Sequence, residues 1–365
     1  MRLLLRGHAP RWLTPALVVA AALGTFILTA GPIRLAGANP GSAYDFYLLR
    51  PLSSTYTFLE VLLAATPLLF TGLAVLLAFR AGFYNIGAEG QFIAGAIAAA
   101  VVATGLPDLP PPLALPLGLG VGVVAGSLWG LVPALLRVRL GVDEVVTTLL
   151  LNPVALLLLQ GLLNGPLRNP TTQFPESARI GSGYELAPIL TGHRLHWGFV
   201  LAVLVALALW LVLSRTGIGL TLRAAGLNPR AAQFSGISVG RTLLGAALSS
   251  AGLAGLGGAV QVMGLQRRLT GEVSTGFGYT GIVVATLAAL SVPAAIAVAT
   301  LLADIVVGAE MANRVLQLPP QMGRVVTATL LLSAVSLMLL RRYRVTFPAL
   351  RRRRARAPSS AGDPS

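Results

Sequence analysis

Apolar stretches recur along the whole chain, separated by short polar or arginine-bearing segments. Each is close to the ~20 residues a helix needs to cross a bilayer. Hydropathy combined with the positive-inside rule predicts about ten crossings, some of them short. The first runs from Trp12 to Ala30, the second from about Tyr56 to Phe79, and the third from near Ile86 to Thr104. Leu113 to Leu136 and Asp143 to Leu163 come next, then a span opened by Trp197 and a seventh over Thr242 to Gly264. Gly276 to Leu290 is short for a full crossing, and Pro293 separates it from Ala294 to Met311. A last span covers about Val325 to Leu340. A single soluble domain has room to bury one or two such segments, so the pattern predicts an all-α polytopic membrane protein.

The pattern also sets the domain organisation. Residues 1–340 read as one transmembrane domain and 341–365 as an arginine-rich cytoplasmic tail beside anionic headgroups. The basic N-terminus before Leu13 resembles a signal peptide, but the apolar run behind it is too long for one and more spans lie beyond it. It is expected to stay as the first helix. Arginines concentrate on the side of both termini, which places those termini in the cytoplasm. The segment 165–196 then lies outside, where it docks a partner or caps the pathway.

Glycines 122, 126 and 130 repeat at every fourth position of the fourth span. Small residues so placed let membrane helices approach closely, which is a packing signal and says little about a substrate.

Against this apolar background the stretch Ala81 to Gln91, AGFYNIGAEGQ, is conspicuous. Asn85, Glu89 and Gln91 sit between two apolar spans, where polar groups are costly and mark bundle interiors or water-filled paths. Glu89 lies near a predicted helix start that favours a carboxylate. It either ties that start to a neighbour such as Arg80 or contacts a solute. Asp143 and Glu144 occupy a similar position at the fifth span, with capping and gating both open. Asn152, Asn164, Gln261 and Thr286 add uncharged polar groups within or beside the spans. Asp304, in mid-span, faces the pathway, pairs with an arginine, or belongs to a wet subunit interface.

Residues 215–241 hold Arg215, Arg223, Arg230 and Arg241 with no acidic residue, and are expected to be cytoplasmic. They read as two short helices turning at Gly226-Leu227-Asn228-Pro229. Asn228 is placed to cap the second helix and Pro229 to occupy its first turn. Short helices with exposed arginines suit docking to another protein.

Composition narrows the function further. The chain contains no lysine, so a phosphate-binding P-loop with its lysine is excluded. Absence of cysteine removes disulfides and thiolate metal sites. No metal centre is expected, and His8, His193 and His196 fall outside the spans. The net charge of +15 is distributed by topology and not gathered on a soluble face, which argues against nucleic acid. Arginine, alanine and glycine without lysine suggest a GC-rich bacterial genome. A weakly polar path suits a neutral nucleoside or sugar better than a phosphate or an amino acid, each of which calls for fixed countercharges.

Five motifs in order carry a resemblance: GFYNIGAEGQ (82–91), GVDEVVTTLLLN (141–152), LRAAGLNPRAAQFSGI (222–237), GLAGLGGAVQVMG (252–264) and GFGYTGIVVATLA (276–288). Over about Phe58 to Leu340 the chain resembles permeases of bacterial ABC importers for simple sugars and nucleosides, in the branched-chain amino acid/ribose-type family, the nucleoside permeases being nearest. The resemblance implies a ten-helix, type II ABC importer-like fold in the inner membrane. It also implies a second permease subunit (homo- or heterodimer), an ABC ATP-binding subunit that binds ATP and Mg, and an extracytoplasmic substrate-binding lipoprotein. No cofactor is implied in this chain, and no catalytic residue.

Residue by residue, the resemblance carries the first motif onto Asn85, Gly87, Glu89, Gly90 and Gln91, and the second onto Glu144 and Asn152. It makes Arg223, Gly226, Asn228, Pro229 and Arg230 the coupling helix that seats in an ATPase groove. Asn85, Glu89, Gln91, Glu144, Asn152, Gln261, Thr286 and Asp304 are the candidate pathway or gating residues. The family's polar His-Pro turn is here Leu290-Ser291-Val292-Pro293, a departure from the family's pattern. The competing reading is an ion-coupled secondary transporter using Glu89, Asp304 or Glu310. An intramembrane enzyme ranks below both, because no span pairs its acids at helical spacing.

Overall fold

The computed structural model describes residues 2–5, 13–319 and 321–346. The helices, in chain order, are α1 (Leu13–Leu35), α2 (Pro40–Leu48), α3 (Thr55–Arg80), α4 (Ala88–Gly105), α5 (Pro111–Leu140), α6 (Glu144–Asn164) and α7 (Trp197–Arg215). They continue with α8 (Gly217–Leu227), α9 (Pro229–Phe234), α10 (Val239–Val260), α11 (Phe277–Leu287), α12 (Val292–Leu316) and α13 (Gln321–Arg342). Two four-residue strands, β1 (Arg2–Leu5) and β2 (Tyr343–Thr346), pair antiparallel. Most of the arginine-rich tail, with Arg6, His8 and Arg11, lies outside the described residues.

The chain divides into two compact units. Met1–Pro40 with Leu318–Ser365 forms one, in which α1 packs on α13 beside the β1–β2 ladder. Gly41–Gln317 forms the other.

Among the described residues seven helices are long and apolar enough to cross a membrane, or up to eight if one bent pair counts as a single span. The sequence pattern leads to about ten. The shortfall has visible reasons. Helix α11 has only 11 residues, and α13 does not meet the same test over its described residues.

Within the larger unit α3 is central, 89% of its apolar window being buried, whereas α7 is only 17% buried. A helix apolar all round, like α3, belongs inside a bundle. Around α3 stand α4, α10, α11 and α12. The tightest packing joins α4, α5 and α10. A methyl group on Gly95 would collide with the Gly255 carbonyl, one on Gly126 with that of Ala251, and one on Gly255 with that of Gly122. Glycine at these crossings brings backbone against backbone, which replaces the hydrophobic effect as the source of helix association in lipid. The predicted 122/126/130 stripe is therefore the seam between α5 and α10.

Helix α10 runs on into a π-helical turn, Gln261–Gln266. The 165–196 segment folds over this turn and the residues just beyond it. Ser177 N donates to Leu269 O at 2.8 Å, and Leu186 N to Met263 O at 2.9 Å. Arg268 pairs with Glu176 at 2.5 Å, while Arg179 and Arg267 share Glu185. These backbone bonds and ion pairs tie the segment to the end of α10 and the residues after it.

Candidate functional site

Helix α3 stops at Arg80, and the chain runs through Gly82 (φ +81°) and a non-helical stretch to Gly87 before α4 starts at Ala88. The sequence pattern starts this helix near Asn85 or Ile86; the structure starts it later. The reason lies in the side chain of Asn85. Its Oδ1 accepts from Gly87 N at 2.9 Å, an Asx-type turn that holds the chain out of the helix.

A non-helical backbone between buried helices must find partners elsewhere. One face of α6 supplies them. Glu144 Oε1 accepts from Tyr84 N (3.2 Å), and Thr148 Oγ1 from Ile86 N (3.1 Å). Asn152 Oδ1 accepts from Gly90 N (2.9 Å), while its Nδ2 donates to Ile86 O (3.0 Å). Positions 144, 148 and 152 are one helical turn apart, so they lie in a row on one face. All three are buried. Glu144 also pairs with Arg137 Nε at 3.0 Å, which neutralises it. Asp143 caps α6 by accepting from Val145 N at 2.8 Å, as its position predicts.

On the opposite side Asn85 Nδ2 donates to Gln91 Oε1 (2.8 Å) and to Ser250 Oγ (3.0 Å). Gln91 Nε2 returns a bond to Asn85 Oδ1 at 3.1 Å, and Ser250 donates to Ala74 O at 2.6 Å. Asn85 and Ser250 are fully buried. The cluster is a closed polar network joining α3, α4 and α10, with its own members as partners.

Glu89 does not meet Arg80. Its Oε2 accepts from Gly278 N at 2.7 Å, so the carboxylate caps the start of α11. Gly278 has no alternative at this crossing, because a Cβ there would run into the Ala88–Glu89 backbone. Arg80 instead donates from Nε to Leu290 O at 2.8 Å. That carbonyl belongs to the turn between α11 and α12, where Ala289 and Leu290 both take left-handed φ values. The turn without His-Pro is thus held by an arginine from α3.

A family model described as "Branched-chain amino acid transport system / permease component" matches residues 57–335. The chain belongs to that family. The permease is 34% identical, over 98% of its own length and 96% of the other's, to a glucose ABC transporter permease protein of Haloferax volcanii. It is also 32% identical to a guanosine ABC transporter permease protein of Bacillus subtilis, over 80% of this chain and 84% of that one. A nucleoside ABC transporter permease protein of Lactococcus lactis is 30% identical, with coverages of 84% and 86%.

The permease's arginine-rich loop folds as its sequence predicts. Helices α8 and α9 turn at Asn228, whose Oδ1 accepts from Ala231 N at 3.1 Å, with Pro229 in the first turn. Arg223, Leu227, Pro229, Arg230 and Phe234 are exposed. Phe234 is 94% and Leu227 76% accessible, large apolar groups flanked by cations. Gly226 faces the other way. A Cβ on it would overlap Arg80 O, and the Cβ position of Gly82 lies 3.1 Å from Gly226 Cα. The loop therefore rests directly on the start of the 81–91 segment.

The remaining predicted residues lie apart from this hub. Gln261 is buried in the first π-helical position after α10. Thr286 is half-buried and donates back to Ile282 O within α11. Asp304 is buried in α12, and its Oδ1 has no hydrogen-bond partner among the described residues. Asn164 donates to Gln160 O within its own helix. Four participants escape the sequence reading: Thr148, Ser250, Gly278 and Tyr279, whose hydroxyl is 3.3 Å from Asn152 Nδ2. Thr148 was legible as the middle member of a polar row at helical spacing. The others become visible only when helices distant in sequence are brought together.

The sequence pattern leaves His193 and His196 outside the spans, at the interface. His196 is instead 2% exposed, and its Nδ1 accepts from Gly198 N at 3.1 Å to cap α7. Burial, with Arg267 nearby, pushes its pKa down to about 4, so it is neutral at pH 7. Among the described residues no three His, Cys, Asp or Glu side chains are grouped to hold a metal.

Proposed function

We propose that this chain is the membrane-spanning half of an ABC importer that moves a neutral solute, a nucleoside or a simple sugar, into the cell by alternating access. Seven apolar helices, with α1, α11 and α13, make the ten membrane helices of the proposed fold, with both termini cytoplasmic in the cell membrane. Residues 1–340 act as one transmembrane domain beside a second permease subunit. A separate ATP-binding subunit carries ATP and Mg, and an extracytoplasmic lipoprotein delivers the solute. The chain itself breaks no bond.

The observation that carries this reading is the α8–α9 pair. It presents Leu227, Arg223, Arg230 and Phe234 outward and seats Gly226 on the end of α3. A partner that grips the exposed face pushes the 81–91 segment through the glycine contact. That segment is bonded to α6, α10 and α11, so a displacement there reaches several helices together. Asn85, Glu89, Gln91, Glu144 and Asn152 act in this scheme as the joint of the moving bundle and not as solute ligands. Relatives named for glucose, guanosine and nucleosides support a neutral cargo.

The test is co-expression with the neighbouring ATPase and binding-protein genes, then purification in mild detergent and uptake assays in proteoliposomes. A stable complex with ATP-dependent uptake of a nucleoside or sugar is the expected result. Uptake without any ATPase, abolished by an ionophore, overturns it.

One feature favours an ion-coupled carrier instead: Asp304 Oδ1, buried and without a hydrogen-bond partner among the described residues. Asp304→Asn separates the two, since a coupled carrier loses its ion dependence and an ABC permease keeps ATP-driven transport.

A further inference from the structure

A cleft of about 980 Å³ separates α7 from α10. Helix α7 packs on α3, α8 and α12, and leaves this side open. Val205, Leu209 and Val212 form one wall, Leu248 and Leu253 the other, and Arg241 stands at one end. Resting on the cytoplasmic orientation of the α8–α9 loop, we propose that this cleft binds an anionic phospholipid of the inner leaflet, acyl chains between the walls and phosphate at Arg241.

The dimensions fit one leaflet. From Arg241 to Leu253 the wall of α10 rises about 18 Å at ~1.5 Å per residue. Half of a hydrocarbon core of ~30 Å is about 15 Å. Helix α7 runs the opposite way, from Val205 to Val212, so both walls are apolar at the same end and approach the basic loop at the other.

The chemistry fits a lipid better than a polar solute. Four hydroxyl side chains line the cleft, and those of Ser127, Thr221 and Thr242 are already donated, to Leu248 O, Gly217 O and Ser238 O respectively, which leaves the exposed Ser249 as the one hydroxyl open to a polar solute. A nucleoside or sugar entering here would exchange water for walls with few free partners. Hydrocarbon loses nothing on entry. The guanidinium of Arg241 is exposed, and among the described residues no carboxylate lines the cleft to neutralise it. A planar guanidinium suits a phosphate, and basic pockets between membrane helices on the cytoplasmic side select anionic headgroups.

Gly245 provides a clean test. It lines the cleft, and a Cβ there meets nothing within 4 Å. Gly245→Leu therefore adds apolar volume to the cleft from an unobstructed Cβ and raises helix propensity. The full chain, purified in mild detergent, is titrated with phosphatidylglycerol and with phosphatidylethanolamine and observed by native mass spectrometry. The wild type is expected to retain phosphatidylglycerol at least tenfold better than phosphatidylethanolamine. Gly245→Leu should lose the adduct, and Arg241→Gln should keep a lipid but lose the preference.

Equal retention by wild type and Gly245→Leu overturns the proposal, as does an absence of headgroup preference in the wild type. A disulfide between two copies through Leu248→Cys, in a chain otherwise free of cysteine, assigns the cleft to a second permease copy and also overturns it. Orientation is checked separately by labelling Asn228→Cys in sealed vesicles. Labelling from outside defeats the orientation on its own, whatever the lipid adducts show.

Discussion

Gly226 and Arg80 meet backbone to backbone: the Cβ that any other residue would carry at 226 falls onto the carbonyl oxygen of Arg80. This places the α8–α9 pair against the last turn of the most buried helix, two residues before the left-handed Gly82. Arg80 in turn holds the α11–α12 turn through Leu290 O. One residue on α3 therefore touches both the arginine-rich loop and the turn that ends the half-length helix.

Gly226→Val should disturb this seat. Overpacking of a close contact costs about 1–3 kcal/mol, and here the strain falls on the joint. ATP-driven uptake is expected to drop at least tenfold while the ATPase subunit still co-purifies. Gly161→Val, at a position with open space around it, is the control and should transport normally. Equal activity of both variants would show that the contact transmits nothing.

Charge reversal at Arg223 or Arg230 should act differently. Both are exposed, so folding should survive. Weakened association with the ATPase subunit and uncoupled transport are expected, read by pull-down and by uptake per ATP hydrolysed. Normal transport with an intact complex would remove the docking role from this loop.

Asn152→Leu should cost stability without touching any charge. It leaves Gly90 N–H and Ile86 C=O without their present partners. Each buried group left unpaired costs about 1–3 kcal/mol. A lowered unfolding midpoint in detergent is expected, with a smaller drop for Thr148→Val, which removes one bond to the 81–91 segment, from Ile86 N, together with the hydroxyl's bond back to Glu144 O within α6.

Glu89 offers a sharper distinction. Glu89→Gln keeps an oxygen for Gly278 N and should leave folding and transport close to wild type. Glu89→Ala removes the acceptor and should destabilise the α4–α11 crossing. A Gln variant that folds well yet fails to transport would mean that the negative charge itself is used.

His196 sets a pH dependence with a definite sign. Its folded pKa of about 4 lies below the ordinary 6.5, so the folded state binds fewer protons than the unfolded one across that window. Stability from the neutral ring is complete above pH 6.5 and is lost as pH falls towards 4. The total is about 3 kcal/mol, at 1.36 kcal/mol per pH unit. His196→Asn retains a capping oxygen and should flatten this part of the profile, measured by thermal unfolding between pH 7.5 and 4.

The membrane class, most helix positions and the helix–turn–helix at Asn228 were legible in the sequence. Each depends on local chemistry: apolar length, arginine placement, a cap followed by proline. The glycine stripe at 122, 126 and 130 was legible as a seam, though not its partner. The motif at 81–91 was equally visible, and its polar residues read as either a bundle interior or a water-filled path. Tertiary structure supplied their partners. The groups bonded to Asn85, Glu89 and Ile86 come from Ser250, Gly278 and α6. Such partners are set by which helices pack together, and hydropathy does not specify this. The sequence alone determined that polar groups had to be buried here. Only the packed bundle decided that they satisfy one another and an interrupted backbone, because a buried N–H or C=O must be paired wherever the chain leaves its helix.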